Sequence, residues 1–230
     1  ILASKANFIF VYSEEIFHRF KSLNKHIKQI RTPVVGLDEF YIREDTCLGK
    51  EIKIIRVCWI IQSKGLEYLI DAVKILVGKG YNVSLSIIGD AKSESYKRSI
   101  IKRINDLELE GRIKILGWIP TSEIPKYFIE SDIHAISSLS EGTPRVIIEG
   151  ASMGTPLIAT NVGGISNTLE NEVNALLIDP SSEHKLAEAI EKMIERKSLR
   201  KKLISNGYNI ARTYSFENFV PEITKVLNKL

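Results

Sequence analysis

Along this chain, short runs rich in β-branched residues alternate with stretches whose apolar residues recur every three or four positions. The short runs read as strands over residues 8–12, 28–32, 53–60, 83–89, 113–116, 133–136, 157–159 and 176–178. The amphipathic stretches predict helices over 14–23, 65–79, 94–107, 122–130, 145–153, 165–170, 182–196, 198–211 and 216–228. Strand and helix periods taking turns in this way signal βαβ units. The expected fold class is therefore α/β, a parallel sheet flanked by helices.

Several boundaries have a mechanism. Thr121 and Ser122 stand before Glu123, a hydroxyl cap followed by first-turn acid. Gly78 and Gly80 flank Lys79 at a helix end. Ser182 opens a helix in which Leu186, Ala189, Ile190 and Met193 share one face. Pro33 and the loop 36–50 set the first βαβ segment apart, so the chain divides into 1–49, a core of 50–205 with six parallel strands, and a terminal helix in 206–230. Pro221 near the start of that helix predicts a kink or a first-turn proline.

Ligands of open α/β sheets bind beyond the carboxyl ends of the strands, which points to the loops at 60–65, 89–92, 117–121, 137–144 and 160–164. The richest is EGTPRVIIEGASMGTPLIATNVGG, residues 141–164. Glu141 lies ahead of a helix start and Glu149 two turns into the helix, so the two can grip two parts of one hydroxyl-rich ligand. Gly142, Thr143, Pro144 and Arg145 form the start itself, where free N–H groups attract anions and oxygen-rich groups. Glu149 falls in the apolar run VIIEGA, and a buried carboxylate needs a partner, either a backbone N–H or a ligand hydroxyl. Lys64 and Gly65 sit at another helix threshold. A lysine there opposes the helix dipole, which suggests a phosphate contact rather than a plain solvent-facing side chain. Gly117, Trp118, Ile119 and Pro120 offer apolar cover for a nucleotide base, with a core Trp at the sheet end as the alternative. Gly89 with Asp90, and Gly163 with Gly164, read by themselves as turns.

Composition narrows the classes. A chain of 230 residues with 44% hydrophobic and 26% charged residues is ordinary for a globular protein. No apolar run approaches the roughly 18 residues of a membrane span. The start, ILASKANFIFVYSEE, has neither a signal-peptide pattern nor an initiator Met, and the chain reads as a fragment of something longer. The net charge of +4 is too small for a nucleic-acid module. The basic stretches 21–31 and 192–202 suit anionic lipid or, more simply, a solvated helix face. Cys47 and Cys58 have no metal-ligand spacing and fit a reducing cytosol, with Cys58 read as a buried thiol. His18, His26, His134 and His184 form no metal pattern, and His134 in its apolar strand reads as a satisfied core residue.

Taken together, these motifs resemble the C-terminal half of retaining glycosyltransferases of the GT-B architecture, two facing Rossmann-like domains. The similarity is to the group 1 type, with its E-x7-E motif. It covers nearly the whole chain. KANFIFVYS, residues 5–13, resembles the last strand of the N-terminal domain, and GLDEF, residues 36–40, the interdomain hinge. Lys64 with Gly65 resembles the diphosphate-binding Lys-Gly, Gly117 the glycine before the base loop, and Ser138 through Glu149 the E-x7-E motif.

The resemblance implies a nucleotide-sugar-dependent hexosyltransferase. Residues 1–49 would be a remnant of the acceptor domain with its linker, 50–205 the Rossmann-like donor domain, and 206–230 a helix crossing back. Glu141 and the N–H groups of residues 142–145 would hold the donor sugar, Glu149 the ribose, Lys64 the diphosphate, and Trp118 with Ile119 the base. The donor would be a UDP-, GDP- or ADP-sugar and the acceptor a glycan or lipid-linked glycan. No metal or other cofactor is implied. The location would be cytoplasmic or peripheral at the inner membrane face, in polysaccharide biosynthesis, and the isolated fragment would transfer nothing. One departure stands out. Trp59 occupies the place of a usual phosphate-binding Arg, and Arg56, three residues upstream, has an open direction. Two alternatives follow, a non-catalytic nucleotide-sugar-binding partner subunit and, with less support, a nucleotide-sugar epimerase.

Overall fold

The computed structural model describes residues 6, 8–11, 14–142 and 144–228. Strand β1 (Ile9–Val11), helix α1 (Glu14–Phe20) and strand β2 (Ile27–Gln29) come first, and β1 pairs with β2 in a small parallel sheet of their own. A six-stranded sheet follows. Its strands are β3 (Ile52–Val57), β4 (Val83–Ile88), β5 (Ile113–Gly117), β6 (Ile133–Ile136), β7 (Leu157–Thr160) and β8 (Leu176–Ile178), all paired in parallel. Between and after them lie α2 (Leu66–Gly78), α3 (Glu94–Asp106), α4 (Ile124–Ile129), α5 (Arg145–Ser152), α6 (Glu183–Glu195), α7 (Lys197–Thr213) and α8 (Phe216–Leu227).

Helices cover the sheet, and its inner strands β6 and β7 are buried on both faces, at every residue. On one face, Leu66, Leu69, Ile70, Val73 and Leu76 of α2 pack with Leu186, Ile190 and Met193 of α6 against Ile54, Leu85 and Ile133. On the other, Ile55 and Ile88 meet Phe128 of α4 and Met153 after α5. The spatial order is β5-β4-β3-β6-β7-β8. The order reverses between β3 and β6, and the loops leaving those strands diverge to form the crevice where such sheets bind ligands.

The predicted elements exist with ends shifted by up to three residues, except one. Residues 165–170 form no helix. A 3-10 turn spans Gly163–Ile165, and the chain then turns because Asn174 Oδ1 accepts the Glu170 N–H at 2.8 Å. The expected hydroxyl cap at Thr121 and Ser122 is also absent. Those residues are drawn into a 3-10 turn, Thr121–Glu123, and Pro125 sets the helix start. Pro221 lies inside α8.

The stretch 41–47 is bonded along its length to the six-stranded body. Arg43 donates to the carbonyls of Phe128, Ile129, Ser131 and Gly154 and to Thr155 Oγ1, at 2.7–3.2 Å. Asp45 takes Arg200 Nε at 2.9 Å, and Arg200 is buried. One cation of the basic stretch 192–202 thus serves the interior. At the other end, α8 reaches back to the early chain through Lys28–Glu222 at 2.8 Å and a Val35–Ser215 bridge. No helix among the described residues is long and apolar enough to cross a membrane.

The Arg43 fork gives a stability prediction. Arg43→Ala should lower stability by about 3 kcal/mol or more, because several partners lose a charged donor at once. Arg43→Lys should recover little, since an ammonium cannot reproduce the planar fork. Urea unfolding of the three proteins checks both.

Candidate functional site

The loop after β3 carries Lys64 and the loop after β6 carries Glu141, on either side of the reversal in strand order. Their close approach is possible because of two glycines. Gly65 adopts φ 55°, and a Cβ there would lie 2.3 Å from the Ser137 carbonyl oxygen. Its absence lets the β3 loop lie on the β6 loop. The Leu139 N–H then donates to the Ser63 carbonyl at 2.8 Å, and Ser137 Oγ to the Lys64 carbonyl at 3.0 Å. On the other flank, a Cβ at Gly163 would sit 2.0 Å from the Glu141 carbonyl oxygen, and the Gly164 N–H donates to that oxygen at 3.3 Å. The glycine pair that reads as a plain turn in the sequence therefore braces the Glu141 backbone.

The side chains meet in one cluster. Glu141 Oε1 pairs with Lys64 Nζ at 2.8 Å and accepts a hydrogen bond from Ser138 Oγ at 2.7 Å. Arg56 Nη2 donates to the same Ser138 Oγ at 2.7 Å and lies 3.7 Å from Glu141 Oε1. The exposures of the three charged side chains are 0% for Arg56, 8% for Glu141 and 16% for Lys64. Arg56 Nε and Nη1 have no partner among the described residues. The arginine whose direction the sequence left open thus points into the site. Its signal was a charged residue in the apolar strand IKIIRV, a costly placement without a partner.

Trp59 is half exposed, with Lys92 Nζ 5.1 Å from its ring centroid. Trp118 is 69% exposed, which removes the core alternative. Ile119 packs instead against the cluster of Ile55, Ile88 and Phe128. Thr143 lies outside the described residues.

Helix α5 begins at Arg145 behind Pro144, and no side chain among the described residues caps it. Gly142, Pro144 and Arg145 line a cleft of about 1140 Å³ together with Glu141 and Gly163. Its far wall includes Arg31 and Tyr214, which stack on each other at 5.7 Å.

Glu149 does not join this cluster. It is half-buried on α5 and has no side-chain hydrogen bond or ion pair among the described residues. Burial holds its carboxyl above the usual range, against the pull of Arg145. The backbone N–H partner that the sequence offered as one option is therefore absent. His134 also departs from expectation. It is a core residue, but neither ring nitrogen has a hydrogen-bond partner among the described residues. Burial, then repulsion by Arg56, lowers its pKa to about 3, and its neutral ring packs edge-on against Phe128 at 5.0 Å. A Cβ at Gly150 would come 3.0 Å from His134 Nδ1, so a glycine on α5 leaves room for that ring. Burial raises the Cys58 thiol pKa as well.

This arrangement can hold an anion or a polyhydroxylated ligand at a preformed rim, with one cation in excess over its partner carboxylate. Residues 38–210 match the family model described as glycosyl transferases group 1. An uncharacterized glycosyltransferase of Methanocaldococcus jannaschii is 29% identical over 173 residues, 74% of this chain and 46% of that protein. The capsular polysaccharide biosynthesis glycosyltransferase CapM of Staphylococcus aureus is 30% identical over 148 residues, 64% of this chain and 38% of CapM. The chain thus spans less than half the length of these two relatives. The crystal structure of HepE from Anabaena, in complex with UDP and glucose, superposes with a TM-score of 0.83 at 24% identity, covering 98% of this chain and 64% of that one. The chain belongs to the glycosyl transferases group 1 family, and its sheet has the Rossmann-like fold of the C-terminal half of GT-B glycosyltransferases.

Proposed function

We propose that this chain is the donor-binding part of a retaining hexosyltransferase that uses a nucleotide diphosphate sugar. The observation that carries the reading is the meeting of Lys64 and Glu141 at 2.8 Å where the strand order reverses, in a chain of this family. The UDP and glucose of the HepE complex favour a UDP-sugar over GDP or ADP donors. The name of CapM favours a part in polysaccharide biosynthesis. The acceptor we propose is a glycan or lipid-linked glycan at the inner face of a membrane. In this reading residues 1–49 belong to the acceptor domain and its linker, 50–205 form the donor domain, and the terminal helix ties the two together.

The roles follow from charge and position. Negative charge grows on the departing diphosphate, and a preplaced ammonium with open helix-start N–H groups stabilises it without reorganisation. Lys64 and the first turn of α5 supply these. Glu141 accepts from the sugar hydroxyls. Glu149, a half-buried carboxylate without a protein partner, accepts from the ribose. The exposed Trp118 covers the base, with Ile119 as the packed foot of its loop. No metal is needed in this scheme.

Two predictions follow from these roles. Calorimetric titration should detect weak UDP and UDP-sugar binding and no transfer by the chain alone. Lys64→Ala should weaken UDP binding by roughly ten- to a hundredfold and Glu149→Gln by about tenfold. Equal affinity in all three proteins would remove these assignments.

Glu149→Gln should also change stability with pH. With a folded-state pKa above that of the unfolded chain, Glu149 costs nothing while both states are protonated. It costs stability once the pH passes the unfolded value and the unfolded chain ionises first. The variant should therefore melt higher than the parent at about pH 7 and at the same temperature at about pH 3. A lower melting temperature at neutral pH would contradict the burial argument.

A further inference from the structure

Within the reading above, Lys64 and Glu141 have separate ligand groups to serve, the diphosphate and the sugar. In the structure they hold each other at 2.8 Å. A diphosphate that draws Lys64 away would strip the cation from a carboxylate only 8% exposed, and an unpaired charge in such a place is costly. Arg56 is the group placed to prevent this.

We propose that Arg56 is a positioning residue that takes over Glu141 when Lys64 turns to the diphosphate. Its Nη2 lies 3.7 Å from the same carboxylate oxygen that Lys64 occupies, beyond hydrogen-bond length. It is already fixed to Ser138 Oγ, which itself donates to that oxygen. A shift of about 1 Å would make a charge-assisted bond. The guanidinium has capacity to spare, since Nε and Nη1 are buried without a hydrogen-bond partner among the described residues. Direct contact with the ligand is not available to Arg56, whose side chain is 0% exposed. That separates its role from that of a phosphate-binding arginine at the position of Trp59. Two cations around one carboxylate also leave the cluster one positive charge in excess, the sign that an arriving diphosphate requires.

The handover makes an unusual prediction about UDP, which carries the diphosphate and no sugar. Glu141→Gln removes the ion pair that has to open, so it should tighten UDP binding severalfold, on the order of a kcal/mol or less. Arg56→Met should weaken UDP binding by about tenfold in the parent and Arg56→Lys should restore most of it. In the Glu141→Gln background Arg56→Met should change UDP affinity by less than about twofold, because no carboxylate remains to be held.

Calorimetry on these five proteins and on Lys64→Ala, with thermal melts to confirm folding, reads all of this. Equal weakening by Arg56→Met in both backgrounds would mark a general electrostatic or structural role and overturn the handover. So would weaker UDP binding by Glu141→Gln, a result that stands even if Arg56→Met fails to fold. UDP binding that depends on Lys64 but not on Arg56 would sink the handover and leave the donor-site reading intact. A parent chain that binds no UDP, GDP or ADP would overturn both.

Discussion

A carboxylate held under an almost closed surface sets the terms for this site. Burying the Glu141 carboxylate is costly unless cations and donors accompany it, and Arg56, Lys64 and Ser138 do so from β3, the loop after it and the loop after β6. Those segments meet because the strand order turns back between β3 and β6. The order of the sheet thus decides which loops become neighbours, and the neighbours decide which charges can be buried. Gly65 and Gly163 are the steric conditions for this meeting, since a methyl group at either would strike a backbone carbonyl of the Glu141 loop.

Rigidity around the cluster comes from groups with no direct part in it. Arg43 gathers carbonyls from the end of α4 and the end of α5, fixing α5 from behind while its open start faces the cleft. Asp45 and Arg200 fasten the same stretch to α7. The walls of the cleft therefore come from elements far apart in sequence, including residues 29–34 and the end of α7. The ionic contact that ties α8 to β2 is partly exposed and worth little by itself. The Val35–Ser215 bridge beside it adds backbone bonding.

The departure at Trp59 takes on a different meaning beside Arg56. An exposed aromatic with a lysine over its ring stands where the family commonly has a cation, while a cation stands inside the strand where an apolar residue would be at home. The second cation beside Glu141 thus lies in the sheet and not in the loop. Buried, it cannot touch a ligand, but it holds its position without the entropy of a long exposed side chain.

The sequence by itself determined nearly all the element types and the parallel sheet, and it singled out the loops beyond the strand ends as candidates for the site. Periodicity and apolar runs are local properties, so strands such as Ile133–Ile136 and helices such as Glu183–Glu195 were readable from spacing and from caps such as Ser182. Family resemblance singled out Lys64, Glu141 and Glu149. Only the tertiary structure decided that Lys64 and Glu141 bind each other while Glu149 stands without a partner, that Arg56 points inward, and that His134 is buried yet unsatisfied. Each of these depends on which side of a strand or helix faces which neighbour, and on distances of an ångström or two between segments up to about a hundred residues apart. No local pattern in the chain encodes such distances, because they are set by how whole layers pack.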